Sequence, residues 1–188
     1  MSSFNIPNAL SIFRILLVPV FFSLTMRGDY LAAALVFTMA GITDAVDGFI
    51  ARRFNMRTPL GAALDPAADK LLQVTAYVTL TFRGVIPLWL CVPVLAKDAI
   101  LVVIFLALRS MGRRVEISPS IPGKLSTVLQ ITTVAYVLFF GRADGPRLVI
   151  FMALALATAG ATIMAGLHYA WREYKGQAAL PDRPGRGG

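Results

Sequence analysis

The chain has one cysteine, Cys91, and one histidine, His168, in 188 residues. A lone thiol in an apolar run gives no disulfide framework, and with a single imidazole beside it no zinc site is available. His168 reads as an interfacial residue rather than a ligand. Charge is also scarce, at 15% of residues, and acidic residues number only 10 against 18 Lys and Arg. The two halves show no internal repeat, which counts against the inverted-repeat architecture of many transporters. The net charge of +8 is not laid out as a basic face interleaved with exposed aromatics, so no nucleic-acid partner is expected. The basic residues cluster between apolar runs, which suits anionic headgroups and control of topology.

What is abundant is hydrocarbon. Hydrophobic residues make up 57% of the chain and mean hydropathy is +0.70, values that leave a soluble domain too little polar surface. The apolar runs reach the ~20 residues that cross a bilayer as a helix. The expected fold is an all-α integral membrane protein of six transmembrane helices, over residues 8–26, 30–50, 61–82, 86–108, 124–141 and 146–170. Arg27-Gly28-Asp29, Arg83-Gly84 and the stretch from Gly141 to Pro146 punctuate it as turns. No basic residue precedes the first run and its first charge, Arg14, falls inside it, so it is expected to stay as a helix rather than act as a signal peptide. Residues 1–175 form a single expected catalytic domain, and 176–188 an expected disordered tail.

Loop charge sets orientation. Arg52, Arg53, Arg57, Arg109, Arg113, Arg114, Lys124, Arg172, Lys175, Arg183 and Arg186 fall on one side, against Arg27, Arg83, Arg142 and Arg147 on the other. The first set is placed in the cytoplasm, with both termini.

Four aspartates break the apolar pattern at the ends of the second and third spans. Asp44 and Asp47 are three apart, Asp65 and Asp69 four apart, so each pair shares a helix face. A helical hairpin brings the two faces together. Like charges so placed do not all stay ionised without compensation, and hard oxygen donors select Mg²⁺, Mn²⁺ or Ca²⁺. Mg²⁺ characteristically shares its coordination with substrate phosphates. Gly48 and Gly61 remove side chains where a ligand or a neighbouring backbone comes close. Arg52 offers a planar fork of donors to a phosphate, and Ala51 keeps that path open. Composition alone also admits a divalent-cation transporter, since intramembrane aspartates mark ion pathways too. Such a protein has no particular need of Gly48, Ala51 or Arg52.

The full pattern D-x2-D-G-x2-A-R-x8-G-x3-D-x3-D, formed by Asp44, Asp47, Gly48, Ala51, Arg52, Gly61, Asp65 and Asp69, resembles the signature of the CDP-alcohol phosphotransferase family. The resemblance implies transfer of a phosphatidyl-type group from a CDP-linked donor to an alcohol, with release of CMP. It implies metal binding by Asp44, Asp47 and Asp65, with Asp69 on the second metal and acting as general base. Two Mg²⁺ (or Mn²⁺) ions and a homodimer are implied with it, in a multi-pass protein of the cell (inner) membrane whose site faces the cytoplasm. Gly48, Ala51 and Arg52, with Gly61, are implied on the cytidine diphosphate side.

The stretch IPNALSIFR resembles the opening of the branch of the family that makes phosphatidylglycerol phosphate and, in related enzymes, cardiolipin. Asn8, Ser11 and Arg14 are spaced by three and line one face. Gly123, Lys124, Thr127 and Gln130 resemble the G-K-x-x-T-x-x-Q stretch of the same branch. That branch carries Arg-Glu or Arg-Asp midway along the fourth helix, where this chain has Lys97-Asp98. An ionisable pair at that depth is expected to turn inward. The donor is therefore expected to be CDP-diacylglycerol and the acceptor glycerol 3-phosphate, with phosphatidylglycerol as the alternative. Asn8, Arg14, Lys97, Asp98, Arg109, Arg113 and Lys124 are the candidate acceptor or phosphate contacts.

Overall fold

The computed structural model describes residues 6–53, 59–110, 121–141 and 145–178. They form six helices: α1 Ile6–Arg27, α2 Tyr30–Arg53, α3 Pro59–Phe82, α4 Leu88–Ser110, α5 Ile121–Phe140 and α6 Gly145–Ala178. There is no strand among the described residues. The six expected segments are all present, with ends shifted by a few residues. The largest shift is in α6, which continues to Ala178, so residues 176–178 extend a helix. The rest of the expected tail, residues 179–188, lies outside the described residues.

The turns follow from two glycines. Gly28 has φ 85° and Gly84 φ 70°, a conformation in which other residues carry a steric penalty. At the end of α1 the Gly28 N–H donates to Thr25 O at 3.1 Å and the Asp29 N–H to Leu24 O at 3.0 Å. At the end of α3 the Gly84 N–H donates to Thr81 O at 2.9 Å and the Val85 N–H to Leu80 O at 2.9 Å. Both are the paired 5→2 and 6→1 bonds that cap a helix whose carbonyls have run out of partners.

Helix α1 packs along both α2 and α3, α6 packs along α4 and α5, and α2 with α3 joins the two groups through α5 and α4. Phe21, Tyr77, Leu80, Leu90, Val94 and Val134 fill the centre, and Ala33, Ala34, Ala40 and Ala76 let the backbones approach, as in membrane bundles. The outside is apolar as well. Leu35, Ile42 and Phe49 on α2, and Val149, Leu156 and Ile163 on α6, are each seven apart and 52–71% exposed. Such continuous rows are far beyond the patches a soluble monomer shows. Among the described residues, four helices are long and apolar enough to cross a membrane: Asn8–Arg27, Tyr30–Ile50, Ile121–Phe140 and Gly145–Tyr169. Charges lie within the helices as well: Arg14 on α1, Asp44 and Asp47 on α2, Asp65, Asp69 and Lys70 on α3, Lys97 and Asp98 on α4, and Lys124 on α5.

Candidate active site

The candidate site is built where α1 lies against the end of α2 and the start of α3. Asn8, Ser11 and Arg14 are all buried, so the face predicted from their spacing is turned into the bundle. Arg14 is 1% exposed and is the hub of the site. Its Nη2 donates to Asp47 Oδ2 at 2.5 Å. Its Nη1 donates to Asp69 Oδ1 at 2.6 Å and pairs with Asp44 Oδ1 at 3.0 Å. The Ser11 hydroxyl donates to Asp65 Oδ1. Two residues one turn apart on α1 thus gather all four aspartates from α2 and α3, as the three- and four-residue spacings predict.

Exposure divides the four. Asp47 is 2% exposed, whereas Asp44 and Asp69 keep 46% and 48%. The latter two open onto a cavity of about 130 Å³ shared with Arg14, Gln73 and Thr127, its apolar wall made by Phe37, Leu72 and Ile131. A cleft with one deep and two accessible carboxylates suits a reaction in which one group anchors and others meet a ligand.

The donor set fits a divalent metal in kind. It consists of carboxylate oxygens, two residues on each of two helices, and among the described residues the ion pairs of these aspartates all run to one guanidinium. As they stand, no three acidic, histidine or cysteine side chains among the described residues are gathered closely enough to hold one ion. The guanidinium of Arg14 lies between the carboxylates that would have to close.

The other candidate residues fall into separate places. Gly61 is buried and Gly48 half-buried beside the cluster. The side chains of Ala51, Arg52 and Arg109, and the whole of Arg113, lie outside the described residues. Lys124 is exposed and sits in a surface depression with Gly123, Thr127 and Tyr169. Thr127 lines both that depression and the aspartate cavity, so the two share a wall. Lys97 and Asp98 are both 6% exposed and face inward as expected. Asp98 Oδ1 is 2.7 Å from Lys70 Nζ and 3.2 Å from Lys97 Nζ.

Two participants escaped the sequence reading. Gln73, which lines the cavity, donates through Nε2 to Gln130 Oε1 at 2.5 Å. Gln130 also accepts from Lys97 at 3.5 Å and donates to Thr162 Oγ1 at 2.9 Å. This chain of amides links the aspartate cavity to the buried lysine. Gln73 stands four residues after Asp69, so the i, i+4 rule places it on the same face. Lys70, the other, had no signal beyond its adjacency to Asp69.

The chain belongs to the CDP-alcohol phosphatidyltransferase family, whose model matches residues 4–165. It is 37% identical over 142 residues to the CDP-diacylglycerol–glycerol-3-phosphate 3-phosphatidyltransferase of Escherichia coli (strain K12), covering 72% of this chain and 78% of that protein. Proteins of the same name from Shigella flexneri serotype 5b (strain 8401) and Shigella sonnei (strain Ss046) match to the same extent. Family membership sets the transporter alternative aside.

Proposed function

We propose that this chain transfers the phosphatidyl group of CDP-diacylglycerol to glycerol 3-phosphate, giving phosphatidylglycerol phosphate and CMP. The observation that carries the reading is the convergence of Asp44, Asp47 and Asp69 on one guanidinium beside a cavity, in a chain 37% identical to proteins named for that reaction. Asp44, Asp47, Asp65 and Asp69 would hold Mg²⁺ (or Mn²⁺), two ions in all. When bound, such ions neutralise diphosphate charge and stabilise the departing CMP.

The chain's own groups do the rest. Gly48, Ala51, Arg52 and Gly61 bind the donor's cytidine diphosphate. Asp69, half-exposed at the cavity, takes the proton of the acceptor hydroxyl as that oxygen attacks the lipid-linked phosphorus and the bond to the CMP oxygen breaks. A single direct displacement is sufficient, since no covalent nucleophile is required. Buried Lys97 and the 42% exposed Lys70 share the one carboxylate of Asp98; this pairing of two ammonium groups with one carboxylate suits the acceptor's phosphate. Asn8, Arg14, Arg109, Arg113 and Lys124 complete the phosphate-binding set. Residues 1–175 act as one catalytic domain of six spans, with both termini and the site on the cytoplasmic side of the cell (inner) membrane, and the enzyme works as a homodimer.

The test is an acceptor panel. Purified protein is given CDP-diacylglycerol and Mg²⁺ with glycerol 3-phosphate or phosphatidylglycerol, and CMP is followed. CMP is expected with glycerol 3-phosphate, is lost in EDTA and returns with Mg²⁺. Release with phosphatidylglycerol alone would replace this reading by cardiolipin synthesis.

A further inference from the structure

Arg14 holds a position that the proposed metals also require. We infer that Arg14 is an exchangeable internal cation: its Nη1 bridge between Asp44 and Asp69 competes directly with divalent metal and must open for metal to bind. The inference rests on the metal-dependent reading above, but it concerns metal binding itself and not transfer.

Three features carry it. The first is the sharing of oxygens. Nη1 bonds one oxygen of Asp44 and one of Asp69, carboxylates that belong to different helices. A metal ion ligated by both needs them at about 2.0–2.1 Å, which a guanidinium nitrogen between them prevents.

The second is asymmetry. The contact of Nη2 with Asp47 is buried on both sides, 1% against 2% exposed, while both carboxylates on Nη1 are nearly half-exposed to the cavity. An ion arriving through the cavity meets the Nη1 side first. Asp47 is then the pivot on which the guanidinium turns away.

The third is the poor fit of the cage to a guanidinium. Arg14 Nε is buried with no hydrogen-bond partner among the described residues. The fork therefore leaves one N–H unsatisfied where it stands, and an unmade buried bond is a standing penalty. Leaving the Nη1 bridge costs Arg14 less than a fully satisfied fork would lose. A site built to keep Arg14 in place permanently would saturate it.

The alternative is that Arg14 serves as a template, drawing the carboxylates together for the metal. The two roles differ in sign. A competitor lowers metal affinity and a template raises it.

The experiment is a Mn²⁺ titration of the purified full chain in detergent, without nucleotide or acceptor, with free Mn²⁺ read by electron paramagnetic resonance. Removal of the competitor in Arg14→Gln is expected to tighten Mn²⁺ binding on the order of tenfold, within the usual range of coupling between two ligands. The same variant is expected to melt below wild type in EDTA and to gain more from added Mn²⁺. Arg14→Lys, with one ammonium in place of the fork, is expected to fall between the two. Unchanged or weaker Mn²⁺ binding in folded Arg14→Gln overturns the inference.

Should the glutamine variant not fold, the wild type decides the matter. Its Arg14 Nε resonance, assigned by its loss in Arg14→Lys, is expected to shift at saturating Mg²⁺, and an unmoved resonance overturns the inference. Failure of the acceptor panel, with no CMP formed, removes the proposed reaction and leaves the Mn²⁺ result standing by itself.

Discussion

Asp47 and Asp44 are three residues apart on one helix and bond the same guanidinium, yet their burial gives them different energetic weight. The Asp47–Arg14 pair is almost wholly excluded from solvent. Removing one partner of such a pair leaves a buried charge without compensation, at a cost of about 3–5 kcal/mol. Asp47→Ala is therefore expected to lower the thermal midpoint strongly in a detergent unfolding assay. Asp44 is 46% exposed, and solvent screening limits Asp44→Asn to about 1 kcal/mol or less. Asp69→Asn keeps the shape of the cluster and removes the proton acceptor. CMP release is expected to fall by about 10²–10⁴-fold, the usual weight of a general base, with donor binding partly retained. At this scale the carboxylates were legible because three- and four-residue spacings translate directly into shared faces. The burial of Arg14 was legible from its depth in an apolar run. Its place among the site residues was expected, but its pairing with Asp44, Asp47 and Asp69 was not, because spacing along α1 defines a face and not which neighbouring helix that face meets. For the same reason Lys70 and Gln73 were missed, as their partners Asp98 and Gln130 come from other helices.

The helices were read from hydrocarbon and punctuation together. Gly28 and Gly84 supplied the stops, and each sits at positive φ where the hairpins were expected. Gly84→Ala is a clean probe of that requirement, since a Cβ there meets nothing within 4 Å. The expected loss is about 1–2 kcal/mol, from backbone conformation alone, read as a drop in thermal midpoint with the acceptor KM unchanged. The end of α6 was less legible, because the helix outlasts its apolar pattern and continues through polar residues to Ala178. Between elements, Gln130 ties α3, α4 and α6 to α5. Gln130→Leu takes one partner each from Gln73, Lys97 and Thr162; Lys97 keeps Asp98 and Ser126, and a buried group left unpaired costs about 1–3 kcal/mol. Loss of stability is expected, with a larger rise in the KM for glycerol 3-phosphate than fall in kcat.

For the whole molecule, charge asymmetry between the two sets of loops is the basis of the expected orientation. Arg83 and Lys124 are both exposed and are expected on opposite sides of the membrane, while the native Cys91 is buried. In vesicles of known sidedness, a membrane-impermeant thiol reagent is expected to label Arg83→Cys from the outer side and Lys124→Cys only after the vesicles are opened. Labelling of both from one side would contradict the six-span topology.

The apolar rows on α2 and α6 also set the dimensionality of the encounter. On the proposed function, a chain sheathed in exposed Leu35, Ile42, Phe49, Val149, Leu156 and Ile163 would share its solvent with the diacyl donor, and the two would meet by lateral diffusion in a plane. The water-soluble acceptor arrives in three dimensions. The relevant donor concentration is thus its mole fraction in the film of lipid or detergent, not its amount per litre. Adding inert detergent at constant bulk donor is expected to slow CMP release in proportion to that dilution, while the response to glycerol 3-phosphate stays indexed to volume.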